Sequence, residues 1–571
     1  MLCAFFIIKL LSILIDFNVG CSYNNTVSKI IWRNDMKKEM KLITPEEALE
    51  KFFKWFDANK RLAFLVALIF GLITHITMIT ETIMSQDGLW NSMDYHRAGD
   101  WETTLGRWGI EILGRATQFI AIPSINTVFC IVIMAITVVF IVDILDLKSK
   151  VSIIFTSLAI VLTPTLVATL LYIYTAFAYC ANFLISTLVI WFLYKFKHKK
   201  LGIIISVLCF MFSLSVYQSY IGISIGLCIM ISILELFKNK EIKEVFINIG
   251  KAVLVVLIGA ILYYITTQII LKVSGMTLSD YNNAKSISVF GMIVGLKDTL
   301  IQTYKDFFEF FFGNDIVYNT NFRRELVYGL FFIMTFIATI AALGNLKEEN
   351  KKQKITRIAL IVLFILVLPI GLNIIDLIVV GNVMYSLTSV QMILMIPFAF
   401  AIFELLDKYN IIKWGAILSL VVVMWSYYIA DNTSYAALKL TYNQAYSSTM
   451  RVLDRIETTP GYKKDMPILF GGIIGNNNYP RTSSLYGFTI GSMVNNTAFH
   501  GPYGGAMGTW VKFMKVFYGL DIKLCTAEEY QTIVTSPEYK ENMECFPEES
   551  SIKIMHGIVV VKLDEEPYLP Y

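Results

Sequence analysis

The chain has 571 residues, of which 56% are hydrophobic and only 16% are charged, and its mean hydropathy is +0.61. Soluble domains carry roughly a quarter charged residues, so this composition excludes an ordinary soluble protein and predicts a polytopic membrane protein embedded in a lipid bilayer. The formal net charge of +4 is small. No basic block is interleaved with aromatic residues, so nucleic acid is not a predicted partner.

Residues 1–35 form a doubtful N-terminal extension. The run MLCAFFIIKLLSILIDFNVG could be a signal anchor or an additional span, but Lys9 and Asp16 interrupt it and no A-x-A-like site follows. We favour a start codon placed too far upstream, because Met36 opens a charged, amphipathic segment. Residues 36–61 are therefore predicted to be a cytoplasmic lead-in.

About eleven apolar segments follow, each close to the roughly 20 residues that a helix needs to cross a bilayer. They fill a predicted transmembrane region at 62–430 and lie at 62–80, 119–143, 151–171, 177–194, 202–217, 220–237, 249–270, 326–344, 358–380, 388–406 and 412–430. The predicted fold class is mainly α, a polytopic helical membrane protein.

Every second short connector between these segments is rich in Lys and Arg. The connectors near 172–178, 217–220 and 381–387 carry neither residue. Basic loops stay in the cytoplasm, so the outer face is predicted to hold loops 81–118 and 272–324 and everything after Ala430. The basic connectors contain Lys148 and Lys150; Lys195, Lys197, Lys199 and Lys200; Lys238, Lys240 and Lys243; Lys351, Lys352, Lys354 and Arg357; Lys408 and Lys413.

The tail, residues 431–571, is more polar and is predicted to be a small α/β domain on the outer face. Thr526 and Glu529 form a capping-box pattern, and SIKIMHGIVVVKL is typical of a β-hairpin. Cys525 and Cys545 both lie in this tail, where a disulfide would persist. We predict that they form a structural disulfide.

The first outer loop is unusually rich in acids, arginines and aromatic residues. Asp87 lies just past the end of the first apolar segment, and partial desolvation there would raise its pKa toward that of a general base. A solvated acid at a helix end is the alternative. Asp94 would share a helical face with Asp87, or would pair with Arg97.

The rest of this loop suggests sugar and phosphate binding. Asp100 and Glu102 flank Trp101, a common composition in sugar sites, although an interfacial tryptophan gives the same pattern. Arg107 and Arg115 are candidate phosphate contacts, because guanidinium groups match phosphate geometry. An ion pair between Arg107 and Glu111 is the alternative for the former.

Polar residues elsewhere could complete such a site. Tyr217 and Gln218 form a short uncharged outer turn, and Asp376 interrupts an apolar run, where an acid is costly in lipid. Arg323 and Arg324 end the second large outer loop and would clamp a phosphate or extend toward the membrane surface. The outer loops contain enough acidic residues to bind a divalent cation, but the sequence pattern does not indicate which residues would be its ligands. The sequence therefore makes no prediction about a metal requirement.

The absent motifs restrict the function. The chain has no Walker A loop, no G-x-G-x-x-G after a strand and no H-E-x-x-H, and the basic connectors are too short for a nucleotide-sugar domain. A sugar transferred on the outer face would therefore come from a lipid-linked donor. The alternative is a flippase or another multi-span transporter, which predicts charged groups at mid-membrane and broken helices; the clean apolar segments count against it.

From about Met36 onward the chain resembles the GtrII-type glucosyltransferases, polytopic enzymes of the GT-C superfamily. The resemblance is carried by SQDGLW and GDWETTLGRW in the first outer loop, by VYQSY, and by the closing GIVVVKL. It implies inverting transfer of a sugar, expected to be glucose, from a polyprenyl-phosphate donor to a cell-surface polysaccharide at a bacterial plasma membrane.

The resemblance also implies roles for individual residues. The catalytic acid maps to Asp87, with Asp94 second, although Gln86 stands where related enzymes often carry another acid. The late outer segment GNVMYSL lacks a basic residue, so the donor phosphate would be held by Arg107, Arg323 or Arg324.

Overall fold

The computed structural model describes residues 44–91, 99–279, 289–313, 324–347, 350–378, 387–406, 408, 410–472 and 504–565. The predicted extension 1–35, Asp94 and Arg323 lie outside these ranges. The described chain is mainly helical, which confirms the predicted class. Its first helices are α1 (Pro45–Trp55), α2 (Ala58–Thr74), α3 (Ile76–Thr80), α4 (Gln86–Asn91), α5 (Asp100–Thr104) and α6 (Gly109–Gly114).

The helical bundle follows. Its helices are α7 (Pro123–Leu145), α8 (Lys150–Val161), α9 (Pro164–Leu171), α10 (Ile173–Tyr194), α11 (Lys199–Val216), α12 (Ile221–Phe237), α13 (Ile242–Ser274), α14 (Val289–Phe312), α15 (Arg324–Gly344), α16 (Lys351–Leu372), α17 (Ile375–Ile378), α18 (Met395–Phe403) and α19 (Asn410–Glu457). Nine helical segments in the described residues are long and apolar enough to cross a membrane: α7, α8 with α9, α10, α11, α12 with the turn before it, α13, α15, α16 and α19.

Two of the eleven predicted spans are shorter helices. The segment predicted at 62–80 divides at His75, whose ring is buried and bonded at 2.9 Å to the Val161 carbonyl and at 2.7 Å to the Tyr435 hydroxyl. The segment predicted at 388–406 consists of the 3-10 turn Val390–Leu394 and the short helix α18. The count of eleven spans therefore stays a prediction.

The basic connectors meet at one end of the bundle. Lys238 Nζ lies 2.9 Å from Asp146 Oδ2, and the Glu404 carboxylate accepts a 2.9 Å hydrogen bond from the Lys148 backbone N–H. These connectors are distant in sequence and share one side of the molecule, as the charge alternation predicts. Three more contacts lie at this end: Arg357 donates to the carbonyls of Leu236 and Lys240, and Lys60 pairs with Asp143.

Helix α19 crosses the predicted boundary between the transmembrane region and the tail. It runs without interruption for 48 residues, from Asn410 to Glu457. Lys439 on its far half pairs with Glu81, and the Tyr442 hydroxyl donates to the Met84 carbonyl at 3.2 Å. The change of polarity near 430 is therefore not a break in structure, and the far half of α19 braces the segment that leads to Asp87.

The tail contributes a three-stranded sheet and three more helices. The sheet has the order β1 (Ile468–Gly471), β3 (Ile558–Lys562), β2 (Ile552–Met555), with β1 parallel and β2 antiparallel to β3. Phe470 and Val559 on one face join the core of the bundle, whereas Leu469 and Val560 on the other pack under the helices that follow. Helix α20 (Gly504–Tyr518) packs on the first face, where Trp510 contacts Phe470, and the helices on the second face are α21 (Ala527–Val534) and α22 (Pro537–Glu541).

The predicted disulfide is not formed, since Cys525 and Cys545 are both free thiols. The Cys525 N–H donates to the carbonyl of Ile468, which pairs with Val559 on β3. The N–H of Phe546, the residue after Cys545, donates to the carbonyl of Lys562, three positions beyond Val559 on the same strand. Each strand position advances about 3.3 Å, so the two cysteines are separated by about 10 Å along the sheet. A disulfide needs Cα atoms within about 7 Å.

Candidate active site

Asp87 lies in the first turn of α4, which packs against the C-terminal end of α9. Ser85 starts the helix: its N–H and its hydroxyl both donate to the Leu171 carbonyl, at 3.1 and 3.0 Å, and its Oγ accepts from the Gly88 N–H at 3.1 Å. A Cβ at Gly88 would lie 2.5 Å from the Leu171 carbonyl oxygen. The sequence Ser-Gln-Asp-Gly therefore lets α4 sit close enough to present Asp87 beside Tyr172.

Two opposing effects act on the Asp87 carboxyl. The Asp87 side chain is exposed to solvent. The surrounding protein nevertheless partly desolvates its carboxylate, and this raises its pKa. A hydrogen bond from Tyr172 favours the charged form and lowers the pKa by less than desolvation raises it. The net rise is in the direction that a general base requires, because an acid with an ordinary pKa is a weak proton acceptor.

Arg107 follows α5 in a turn that depends on Gly106. Gly106 has φ +73°, a left-handed conformation that favours glycine. A Cβ at that position would also lie 2.3 Å from the Tyr263 hydroxyl. The Arg107 N–H donates to the Glu102 carbonyl at 2.8 Å, which closes the turn. The Gly-Arg-Trp motif thus fixes where the arginine leaves the backbone.

The Arg107 side chain is held by the turn that contains Tyr217 and Gln218. Arg107 Nε donates to Gln218 Oε1 at 3.4 Å, and the guanidinium carbon lies 4.9 Å from the centre of the Tyr217 ring. These contacts use Nε and one face of the guanidinium. Its two terminal amino groups make no hydrogen bond to a described residue, so they can bind an anion such as a phosphate.

Tyrosines at the start of α10 lie near the Asp87 carboxylate and the Arg107 guanidinium. Tyr174 lies near Asp87 and Glu102 and also near Arg107. Tyr172, which bonds to Asp87, lies next to it, with the ring centres 6.4 Å apart. Asp87 and Arg107, 20 residues apart in the chain, thus border one tyrosine-lined region.

Tyr217 and Gln218 are present at the site, where both contact Arg107; the predicted sugar contact of Gln218 stays a prediction. Tyr179 stacks on the Tyr217 ring with centres 4.5 Å apart, and Arg107 lies over the same ring. Two groups this close cannot share one ring face, so both faces are covered and a sugar cannot stack there. The structure assigns Tyr217 and Gln218 to holding Arg107.

The other predicted residues of the first loop divide into two groups. Trp101 is 55% exposed and Asp100 is exposed beside it, and their predicted sugar contact stays a prediction. Glu102 is buried, and its carboxylate accepts from the Gly99 N–H at 2.9 Å, which closes the first turn of α5. Arg115 lies outside the region around Arg107: its exposed guanidinium pairs with Glu111 at 3.2 Å.

Arg324 and Asp376 occupy other parts of the bundle. Arg324 is buried, donates to the Gly313 carbonyl, and lies near Tyr328 and Tyr427 rather than on the helices that hold Arg107. Asp376 is buried on α17 and accepts a hydrogen bond from Asn373. Their predicted roles in phosphate and sugar binding therefore gain no support from contacts with Arg107.

Sequence reasoning missed Tyr172, Tyr174, Tyr179 and Tyr263. These tyrosines lie at or near the outer ends of apolar segments, where membrane proteins commonly carry interfacial aromatic residues, so the pattern gave no signal for a site. Within the described ranges, no three His, Cys, Asp or Glu side chains are placed to hold a metal ion.

A comparison with protein families identifies the chain. The model of the family described as glucosyl transferase GtrII matches residues 78–403, more than half of the chain. No curated protein and no solved structure matches. The matched region includes Asp87, Arg107, Gln218 and the tyrosines between them, and it confirms the resemblance seen in the sequence. The chain therefore belongs to the GtrII glucosyltransferase family and is, by that membership, a membrane glycosyltransferase.

Proposed function

We propose that this protein transfers glucose from a polyprenyl-phosphate donor to a cell-surface polysaccharide on the outer face of a bacterial plasma membrane, with inversion at the anomeric carbon. The observation that carries the proposal is the pairing of a carboxyl of raised pKa, Asp87, with a pre-positioned arginine, Arg107, around one tyrosine-lined region. Acid–base transfer and stabilisation of a phosphate leaving group need these two groups together.

In the proposed reaction Asp87 accepts the proton of an acceptor hydroxyl. The acceptor oxygen forms a bond to the anomeric carbon as the bond from that carbon to the phosphate oxygen breaks. The electron pair of the broken bond stays on the polyprenyl phosphate, and Arg107 stabilises the charge that develops there. Trp101 and Asp100, both exposed beside the site, would contact the sugar or the acceptor.

Two features support an outer-face site that meets lipid. The basic connectors lie together at one end of the bundle, which is typical of a cytoplasmic side, whereas Asp87 and Arg107 lie on loops between the opposite ends of the spans. Helix α13 carries Tyr263 beside Arg107 and exposes Ile261 and Ile265 on its other face. A lipid-linked donor could then present its phosphate to Arg107 from the membrane.

The direct test is sugar transfer by the purified full-length protein in lipid nanodiscs. Synthetic polyprenyl-phosphate glucose labelled in the sugar should label an added bacterial surface polysaccharide, and UDP-glucose should not. The transfer of label from UDP-glucose instead, or movement of the lipid donor across a vesicle membrane without transfer, would contradict the proposal and favour another enzyme or a flippase.

The Tyr172→Phe variant should shift the pH dependence of transfer. Asp87 must be deprotonated to act as the base, so activity is lost as the pH falls through its pKa. The Tyr172 hydrogen bond lowers that pKa, and its removal should raise it, so the acid limb of kcat/KM should move to higher pH while the plateau changes little. An acid limb that stays in place or moves to lower pH would contradict the assignment of Asp87 as the base.

A further inference from the structure

We propose that Tyr263, a residue of helix α13, is a positioning residue that fixes Arg107 for the donor phosphate. This inference rests on the proposed function and adds to it a residue that the first-loop motifs do not contain. Tyr263 lies 156 positions after Arg107 in the chain. Only the packing of α13 against the first outer loop brings them together.

The Tyr263 hydroxyl joins the two elements that hold Arg107. It donates to the Gly106 carbonyl at 3.2 Å and accepts from Gln218 Nε2 at 2.9 Å. The same Gln218 nitrogen donates to the Leu105 carbonyl at 3.0 Å, while its Oε1 accepts from Arg107 Nε. The Tyr263 oxygen therefore links the backbone before Arg107 to the amide that holds its side chain.

This link sets the orientation of the guanidinium. An arginine side chain has several rotatable bonds, and its fork geometry is useful only when the planar group faces the phosphate. Gln218 can accept from Arg107 Nε only while its amide keeps one orientation, and its two donor contacts, to Leu105 and Tyr263, keep that orientation. Removal of the Tyr263 hydroxyl takes away one of them and leaves the Gly106 carbonyl without its partner.

Helix α13 also contacts the loop on both sides of Arg107. Trp108 Nε1 donates to Thr267 Oγ1 at 3.1 Å, one helical turn beyond Tyr263. The Ser279 N–H, shortly after the end of α13, donates to the Thr104 carbonyl at 2.9 Å. Two contacts from α13 and one from the residues just after it thus fasten the loop from Thr104 to Trp108. Because α13 also faces lipid, Arg107 is held by the same helix that a lipid-linked donor would approach.

The test is a double-mutant cycle between Tyr263→Phe and Arg107→Ala, with Tyr264→Phe as the matched control. Phe keeps the ring and its packing, and Tyr264 is a neighbouring tyrosine that is 64% exposed on the lipid side. We expect Tyr263→Phe to lower kcat/KM for polyprenyl-phosphate glucose about 3–10-fold, the size of one lost hydrogen bond. The acceptor KM should stay unchanged, and Tyr264→Phe should match the wild type.

The cycle separates positioning from a general structural role. If Tyr263 acts through Arg107, Tyr263→Phe should have almost no further effect in the Arg107→Ala background. Gly106→Ala, which places a Cβ against the Tyr263 hydroxyl, should reproduce the donor defect without a change in α13. Retained thermal midpoints and monodisperse elution would show that each variant is folded.

The contrary outcomes are distinct. The inference is overturned if the effects of Tyr263→Phe and Arg107→Ala multiply, if the donor kcat/KM of Tyr263→Phe equals that of Tyr264→Phe, or if only the acceptor KM rises. In each of these cases, sugar transfer by the wild-type protein would still uphold the proposed function. If the wild-type protein transfers no sugar from the lipid-phosphate donor, the proposed function and this inference both fail.

Discussion

The Asp87→Asn variant should lose at least about 100-fold of its transfer activity, because a positioned general base contributes roughly 10²–10⁴-fold to such reactions. Asn keeps the size of the side chain and can still accept from Tyr172, but it cannot take the proton of the acceptor hydroxyl. Asp87 is exposed at the surface of α4, so the amount of folded protein should not change. The measurement is initial-rate transfer from polyprenyl-phosphate glucose at saturating donor and acceptor.

The matched control is Glu111→Gln. Glu111 is an acid of the same outer loop, and its carboxylate pairs with Arg115 at 3.2 Å. Its substitution should leave kcat within about twofold of wild type, because an exposed ion pair contributes little. An Asp87→Asn protein that transfers glucose at the wild-type rate would remove Asp87 from the mechanism and with it the main support for the proposed reaction.

The Arg107→Ala variant should lower kcat/KM for the lipid-linked donor by about 10²–10³-fold, the usual cost of losing one group that stabilises developing negative charge. Arg107→Lys should recover only part of this loss. Lysine keeps the charge, but it lacks the Nε contact to Gln218 and the planar group that lies over Tyr217. Acceptor KM should remain near the wild-type value in both variants, since the proposed partner of Arg107 is the donor phosphate.

Arg115→Ala is the control for this series. Arg115 lies on the same loop, but its exposed side chain pairs with Glu111, so its loss should change kcat/KM by less than about twofold. If Arg115→Ala and Arg107→Ala reduce donor use equally, the loop acts as a diffuse positive surface. The specific contact proposed for Arg107 would then be wrong.

The sequence was sufficient for the properties that depend on composition and local pattern. The excess of apolar residues predicts a membrane protein, and the alternating basic connectors predict which loops share a side. Asp87 stands out because it lies just past the end of an apolar segment, and Gly106-Arg107-Trp108 because glycine and arginine meet in a polar loop. Each of these signals lies within a few residues, so no knowledge of packing is needed to read it.

Helix α19 and the cysteines show where local pattern misleads. The polarity of the chain changes near 430, but no proline interrupts residues 410–457, and the helix continues until just before Pro460 and Gly461. The polarity of a helix depends on what surrounds it, whereas the length of the helix depends on where residues such as proline and glycine end it. Cys525 and Cys545 share the tail in sequence, but the register of β1 and β3 keeps them apart.

The sequence by itself determined the class of the protein and included Asp87 and Arg107 among several candidate site residues. Only the tertiary structure decided how those residues are held. Tyr172 meets Asp87 because α4 packs on the end of α9, and Tyr263 meets Gly106 because α13 packs on the first outer loop. It also decided that Tyr217 supports Arg107, because both faces of its ring are covered. Such contacts join residues tens to more than a hundred positions apart, and the close approach of backbones that creates them leaves no local pattern in the sequence.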